Sequence, residues 1–462
     1  MDCHAVQEEV GSVTMKLQTR KMLDKSFSGM GFFSIFLLSA SLILVLAPIF
    51  ARGLGAFIFK GTVEFRRFNH EQFNRGKSKT IQEEIYKAEA NRKVVYDLIA
   101  NFERQIDNEE IPDAYEYESK LDDVKKLIRE LLGPAPGESS PVMMRDQYGA
   151  TRWDRSVVLL DEIMMVETWD YSDPDAMGMK VKVPRVNEFK NTSLEKLFPY
   201  MENNLKNMML PRLTFYWQFL VDKSFDSHFF GGIWAEMLGT IYLILGTMIF
   251  AIPMGVIAAV FLTEFAREGG IVSLLRTFIS TLAGVPSIVF GLFGLAFFIN
   301  TLRISDSKSV LAGSLTLALL VLPTIIRASE EAIKAVPRTY KEAALSLGAS
   351  KLRAVATVIL PAALPGILTG IVISMGRAAG ETAPIIFTAA VSVGRPLKLF
   401  ETLNQPTPAL PWNIYNLVTE HEAVDQIRHV QFGMVFTLVL LVLLLNLVAI
   451  IMRAKISKKL RG

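Results

Sequence analysis

Apolar residues gather into six long runs separated by polar stretches. The first, 29–51, follows Lys16, Arg20, Lys21 and Lys25 and leads into Arg52. At about 20 residues it can cross roughly 30 Å of hydrocarbon. A signal peptide would be shorter and end in a small-residue cleavage site, so this run is expected to remain as a membrane anchor behind a cytoplasmic tail, 1–28. Further runs at about 233–262, 274–302, 310–326, 355–393 and 432–452 each meet the hydropathy criterion for a spanning helix. The run 355–393 would reach about 58 Å as one straight helix, nearly twice the hydrocarbon thickness. It is therefore expected to break at Pro361 and Pro365, leaving a span at about 366–390.

Short basic flanks set the orientation. Both tails are basic, the second through Arg453, Lys455, Lys458, Lys459 and Arg461, and so is a loop at 328–354 with its border, through Arg327, Lys334, Arg338, Lys341, Lys351 and Arg353. Six crossings place all three on one side, the cytoplasm, with both termini inside. The interval 59–210 is too polar for lipid and falls on the opposite, periplasmic side. Within it, Ile81, Ile85, Val95, Leu98, Ile99, Phe102 and Ile106 form one apolar stripe and Leu121, Val124, Leu127, Ile128 and Leu131 another, which predicts a helical hairpin over 78–132. A Gly- and Pro-rich loop at 133–141 follows. The run 157–169 reads as a strand ahead of a second at 179–183, so this half is expected to be α+β.

Composition supports a membrane protein with a sizeable polar part. Mean hydropathy is +0.32 and 51% of residues are hydrophobic, yet 21% are charged. That is close to the roughly 25% of a soluble protein, so the apolar excess must be concentrated in blocks. A net charge of +3 without a basic stripe excludes a nucleic-acid binder. The lone cysteine, Cys3, excludes an intrachain disulfide framework.

Few residues suggest chemistry. Arg75-Gly-Lys-Ser78 lacks the glycine of a phosphate-binding loop, since Glu71 stands in its place, so no nucleotide or other cofactor is expected on this chain. His421 and His429 have no third clustered ligand, and no metal site is expected. Glu264, Arg267 and Glu268 read as a solvated inner loop.

Two motifs carry more weight. The first is Glu342-Ala343-Ala344-Leu-Ser-Leu-Gly348, followed nine residues later by Val358-Ile-Leu-Pro361. It reads as a short surface helix on which two alanines admit a partner backbone and Gly348 ends the helix with positive φ. The second is Gly376-Arg377-Ala-Ala-Gly380-Glu381-Thr-Ala-Pro384, inside an apolar run. Arg377 and Glu381, four apart, share a helix face. A mid-span charge costs at least about 2.5 kcal/mol, so the pair should face a polar interior and mark a solute path. A guanidinium is also suited to a tetrahedral oxyanion. The alternative is an ion pair that only fixes helix packing. Arg327 could be a second anion contact or could snorkel to the interface.

The first motif resembles the coupling (EAA) loop of ABC importer permeases, with Val358 where isoleucine is usual. Together with Leu322-Pro-Thr-Ile-Ile-Arg327 and the outer Leu410-Pro-Trp-Asn413, both motifs resemble the membrane subunits of bacterial phosphate ABC importers, in particular the PstA-type permease. The resemblance covers the first run loosely and about 213–452 well.

It implies an all-α, type I (MetI-like) permease of six helices, non-catalytic, in the bacterial inner membrane. Its core would be 211–462, with an α+β periplasmic insert after the first helix. Partners would be a C-type permease subunit, a homodimer of ATPase subunits that holds ATP and Mg, and a periplasmic phosphate-binding protein. It also implies that Arg327, Arg377 and Glu381 lie in the phosphate path and that Glu342, Ala343, Ala344 and Gly348 dock the ATPase. The insert at 65–210 departs from the pattern. Import of sulfate or molybdate, or a membrane-anchored sensor or scaffold, are the alternatives.

Overall fold

The structure, a computed structural model, describes residues 17–108, 114–136, 148–170, 178–421, 424 and 426–461. Cys3, Lys16 and residues 137–141 of the expected loop lie outside them. The first helix, α1 (Leu17–Gly53), belongs as far as Arg52 to a unit of its own. Its Phe32, Phe36, Leu38, Ile43 and Leu44 are exposed, as on a helix whose solvent is lipid.

Next come β1 (Ile58–Gly61), α2 (Val63–Phe73), α3 (Ser78–Asp107), α4 (Ala114–Leu132), α5 (Arg152–Met164), β2 (Met165–Asp170), β3 (Met179–Pro184), α6 (Leu197–Met209) and β4 (Arg212–Phe215). β1 pairs antiparallel with β4, Ile58 opposite Phe215, so the chain leaves for this insert and returns from it through one ribbon. α3 and α4 form the expected hairpin, with Val95, Phe102, Val124, Ile128 and Leu131 in a single core with Phe189, Phe198 and Met201.

The expected strand at 157–169 is mostly helix. Trp153, Ser156, Leu159 and Ile163 are buried at helical spacing, and the strand begins only at Met165. A continuous apolar run fits a buried strand or a buried helix equally well, and here packing against α4 and α6 decides.

A buried charge cluster fastens the insert to its base. Arg92 donates to Glu64 and to the Met208 carbonyl, 2.7 Å away in the last turn of α6, while the fully buried Arg152 donates to the Leu131 carbonyl at the end of α4. Both guanidiniums thus meet orphan carbonyls at negative helix ends. Burial alone would push the Glu64 carboxyl up, but Arg92 and Arg152 together outweigh it and hold the group below its usual 4.5. This carboxylate therefore contributes stability that is complete above the ordinary carboxylate range and is lost as pH falls through the lowered value. Glu64→Gln keeps a neutral acceptor but removes the counter-charge of Arg92, so it is expected to cost about 1.5–3 kcal/mol at neutral pH and to flatten the acid limb of the insert's stability. Amide exchange of α3 and α6 against pH in the full chain measures both effects.

The membrane part comprises α7 (Trp234–Val260), α8 (Gly270–Leu282), α9 (Ser287–Gly294), α10 (Val310–Lys334), α11 (Arg338–Ser346), α12 (Lys351–Ala354), α13 (Leu360–Gly380), α14 (Ala383–Thr388), α15 (Leu410–Thr419) and α16 (Arg428–Arg461). Among the described residues, five helices are long and apolar enough to cross a membrane: Lys25–Ala56, Trp234–Phe265, Val310–Lys334, Lys351–Gly380 and Arg428–Lys458.

The run expected to span at 274–302 is a pair of helices meeting at 102°, bent at Gly284-Val285-Pro286, and counted as one bent span it brings the number to the six expected. Its shape, and two further expectations, need correction. The loop at 328–354 begins later, because α10 runs on to Lys334. Finally, Pro361 and Pro365 do not break the long run. A π turn at Val355–Ile359 precedes Pro361, the helix continues through Pro365, and the break falls at Glu381 and Thr382. A π turn and neighbouring helices take up the ring clash and the missing N–H, whereas Pro384 stands in the first turn of α14, where a new helix begins.

Glycines bring α10 and α13 together. A Cβ at Gly370 would come within 2.3 Å of the Ala328 Cβ, and one at Gly366 within 2.6 Å of the Ala332 Cβ. This small-residue face sets the register between the two helices.

Candidate functional site

Arg377 lies three residues before the end of α13, and Glu381 stands just beyond it in extended backbone. Arg377 Nε donates to Glu381 Oε1 at 3.4 Å, with side-chain exposures of 36% and 21%. The pair is therefore neither sealed in a dry core nor fully solvated. Apart from its chain neighbours and the backbone of its own helix, no atom among the described residues lies within 4 Å of a Cβ at Gly380, so this face of α13 is open.

Depth follows from packing. Ala378 shares one cluster with Met248 and Ala251 of α7, Phe290 of α9 and Val321 of α10. Those α7 and α10 residues are the midpoints of the spans Trp234–Phe265 and Val310–Lys334. Arg377 is thus near mid-depth, beside a helix break. α14 continues after the break and packs so tightly on α9 that a Cβ at Gly291 would come within 3.0 Å of the Ala383 carbonyl. Irregular backbone at membrane depth is tolerated where it lines protein or a water-filled cavity.

Arg327 is not brought to this pair. It faces α8, donates to Ser280 Oγ, and lines a separate cleft with Arg276, Ile279, Ile326, Glu330 and Glu331. Taking Val321 as the level of Arg377, Arg327 lies roughly 9 Å further toward the Lys334 end.

The Glu342-Ala-Ala motif occupies α11. Glu342 and Ala343 are exposed, but Ala344 is buried against the chain itself, so only one alanine faces outward. Gly348 ends the helix at φ +80, with Ala349 N–H donating to the Ala344 carbonyl and Gly348 N–H to the Leu345 carbonyl. That bond pair is a Schellman cap. Next to it Leu347 is 90% exposed, with Tyr340 and Leu352 also outward. Glu264 is not a freely solvated loop residue: it receives Lys341 Nζ at 2.5 Å, and Lys351 Nζ lies 5.1 Å from the centre of the Phe265 ring. Both contacts tie the α11–α12 segment to the π turn Phe261–Phe265 that continues α7 to its end. Arg267 and Glu268 are exposed.

The remaining candidates are structural. Arg75 makes a bidentate pair with Asp222 at 2.5 and 2.6 Å, and His421 lies 3.0 Å from the Ser227 carbonyl. No cluster of metal-ligating side chains is present among the described residues.

Residues 251–462 match the family described as the binding-protein-dependent transport system inner membrane component. The probable ABC transporter permease protein YqgI of Bacillus subtilis is 35% identical over 53% of this chain and 85% of its own length. The phosphate transport system permease protein PstA 1 of Mycobacterium tuberculosis is 35% identical over 50% of this chain and 73% of its own. The chain belongs to this permease family. Among solved structures, the inward-facing MetNI methionine ABC transporter covers 49% of this chain and 94% of its own at 17% identity, with a TM-score of 0.38.

As a permease of this family, the chain is a multi-pass inner-membrane component of a transporter that works with an ATPase and a solute-binding protein. The match leaves out the insert between β1 and β4.

Two polar groups at the turn of α13 that precedes Arg377 carry no motif. Asn446 Oδ1 and Ser374 Oγ are buried without a hydrogen-bond partner, and Asn446 Nδ2 lies 4.0 Å from a Cβ at Gly376. Asn446 is the only polar residue between Leu438 and Met452, a visible signal in so apolar a run.

Proposed function

We propose that this chain is the membrane-spanning subunit of an ATP-driven importer that carries inorganic phosphate from the periplasm to the cytoplasm, with both termini cytoplasmic. It pairs with a second, C-type permease subunit, receives phosphate from a periplasmic binding protein, and rests on a homodimer of ATPase subunits that alone binds ATP and Mg; it performs no catalysis itself. The observation that carries the reading is the half-open Arg377–Glu381 pair near mid-depth beside a broken helix. Phosphate at neutral pH carries between one and two negative charges. A guanidinium offsets part of its dehydration, and the neighbouring carboxylate keeps binding weak enough for release. The PstA relatives supply the choice of phosphate among oxyanions. The direct test is uptake of labelled phosphate by cells expressing the full system. Competition by unlabelled phosphate but not by sulfate or molybdate is expected, and the reverse pattern would overturn the substrate assignment.

Coupling follows from two features. Closure of the ATPase dimer pushes α11, whose motion passes to α7 through Lys341–Glu264 and Lys351–Phe265. It also passes straight up the unbroken helix Lys351–Gly380, which carries it about 39 Å to Arg377. A continuous rod transmits displacement as a rigid body, which a helix broken at Pro361 would not. Lys341→Glu should therefore weaken coupling, and the exchanged pair Lys341→Glu with Glu264→Lys should restore it. A loss of about 1 kcal/mol, roughly fivefold in phosphate imported per ATP hydrolysed, is the scale for a partly exposed pair. Absence of rescue in the exchanged pair would remove this link.

A further inference from the structure

α8 sorts its residues by chemistry around the helix. Ser273, Arg276, Thr277, Ser280 and Thr281 recur at spacings of three and four along one side, while Ile271, Leu274, Leu275, Phe278 and Leu282 occupy the other. The helix buries none of its described residues. Lipid can solvate the apolar side. The hydroxyls of Thr277 and Thr281 bond back to the Ser273 and Thr277 carbonyls, both at 2.9 Å, and so tolerate an apolar environment. Arg276 carries a full charge, which a single bond to a backbone carbonyl does not offset. Its level is fixed by Glu330, 3.8 Å away on α10, some 12 Å from the middle of that helix and still within a hydrocarbon half-thickness of about 15 Å. A charge at such a depth requires water or a counter-charge.

The counter-charge is incomplete. Glu330 is only 7% exposed, lies 3.8 Å from both Arg276 and Lys334, and keeps its Oε1 without a hydrogen-bond partner. Arg276 Nη2 donates to the Leu262 carbonyl at 3.1 Å, while its Nε is buried and without a hydrogen-bond partner. Glu331 pairs with Lys334 at 3.3 Å. Arg276, Arg327 and Lys334 against Glu330 and Glu331 leave one net positive charge. The cleft that Arg276 and Arg327 line holds about 350 Å³, the volume of roughly ten waters.

We propose that the polar side of α8, centred on Arg276, lines the inner half of the solute route and forms with Arg327 a transit site for a tetrahedral oxyanion on its way to the cytoplasm. This rests on reading the chain as an anion permease and adds a stage below Arg377. Two guanidiniums offer many donors in fork geometry. A net charge of one makes binding weak, as an exit stage requires. Arg276, which no motif marks, thereby becomes a residue that contacts solute.

The test uses the full transporter in vesicles, with Cys3→Ser removing the lone thiol. Thr277→Cys and Leu274→Cys place a thiol on the polar and apolar sides of α8, to be probed with a charged, membrane-impermeant thiosulfonate from the cytoplasmic face. The Thr277→Cys variant should label at least about tenfold faster than the Leu274→Cys variant, as a charged reagent follows water. Phosphate at about four times its dissociation constant should slow that labelling roughly fivefold. Arg276→Gln should abolish the protection and Arg276→Lys restore part of it.

Equal labelling of the two faces, or no protection by any oxyanion while uptake proceeds, overturns the inference. Protection by sulfate or molybdate but not by phosphate supports the transit site and instead sinks the phosphate reading.

Discussion

Arg377→Gln is expected to lower phosphate uptake at least about 100-fold while the variant still assembles with its partner subunits. Each hydrogen bond between an ionised donor and an anion is worth about 1.5–3 kcal/mol, so the loss of two at a site that must replace water costs at least about 3 kcal/mol. Glutamine also leaves Glu381 without its cation, 3.4 Å away in the native protein, and an uncompensated carboxylate beside the route repels the solute. Two companion variants separate the terms. Arg377→Lys keeps the charge and loses the fork, so uptake should survive with KM raised about tenfold. Glu381→Gln removes the restraint on the guanidinium, so KM and the maximal rate should fall together, as when tighter ground-state binding slows release. Initial rates of labelled uptake, with co-purification of the ATPase as the assembly control, decide the matter. Normal transport by Arg377→Gln removes the anion role, and loss of uptake together with loss of assembly assigns the pair to helix packing.

The features that could be read from sequence were those set by local chemistry. Gly348 as a helix terminator follows from one residue's freedom at positive φ, and the α3–α4 hairpin follows from two apolar stripes that only a helix can present on one side. What could not be read depends on neighbours. Pro361 and Pro365 look like breaks because a lone helix cannot absorb them, and only the π turn and the packed helices around α13 do so. Ala344 looks like a docking residue until the rest of the chain covers it. The run 157–169 carries no period that separates strand from helix.

The candidate site divides the same way. Arg377 and Glu381 announce themselves as charges in an apolar run, whereas Arg276 sits in a helix whose average composition hides its polar side, and Glu264 finds Lys341 only once the fold brings position 341 back to the end of α7.

Gly348→Val is expected to cut phosphate imported per ATP hydrolysed at least about tenfold, with ATP hydrolysis itself continuing. Among the described residues no atom lies within 4 Å of a Cβ at this position, so the permease itself has room for a side chain. The cost is conformational. Left-handed backbone at φ +80 costs an L-residue about 1–2 kcal/mol, and a β-branched one more. The Ala349-to-Ala344 and Gly348-to-Leu345 bonds that cap α11 exist only in that conformation. Valine thus loosens the last turn of the helix and displaces Leu347, the most outward apolar side chain of the segment. A loosened helix end absorbs the push that a rigid one would pass to Lys351 and on up α13. The graded series Gly348→Asn, Gly348→Ala, Gly348→Val distinguishes this from simple obstruction of the ATPase. Asparagine visits the left-handed region with less strain than alanine although it is larger, so the conformational account orders coupling Asn above Ala above Val. Obstruction orders it by side-chain volume, with alanine mildest. Coupling unchanged in Gly348→Val would remove α11 as the docking element altogether.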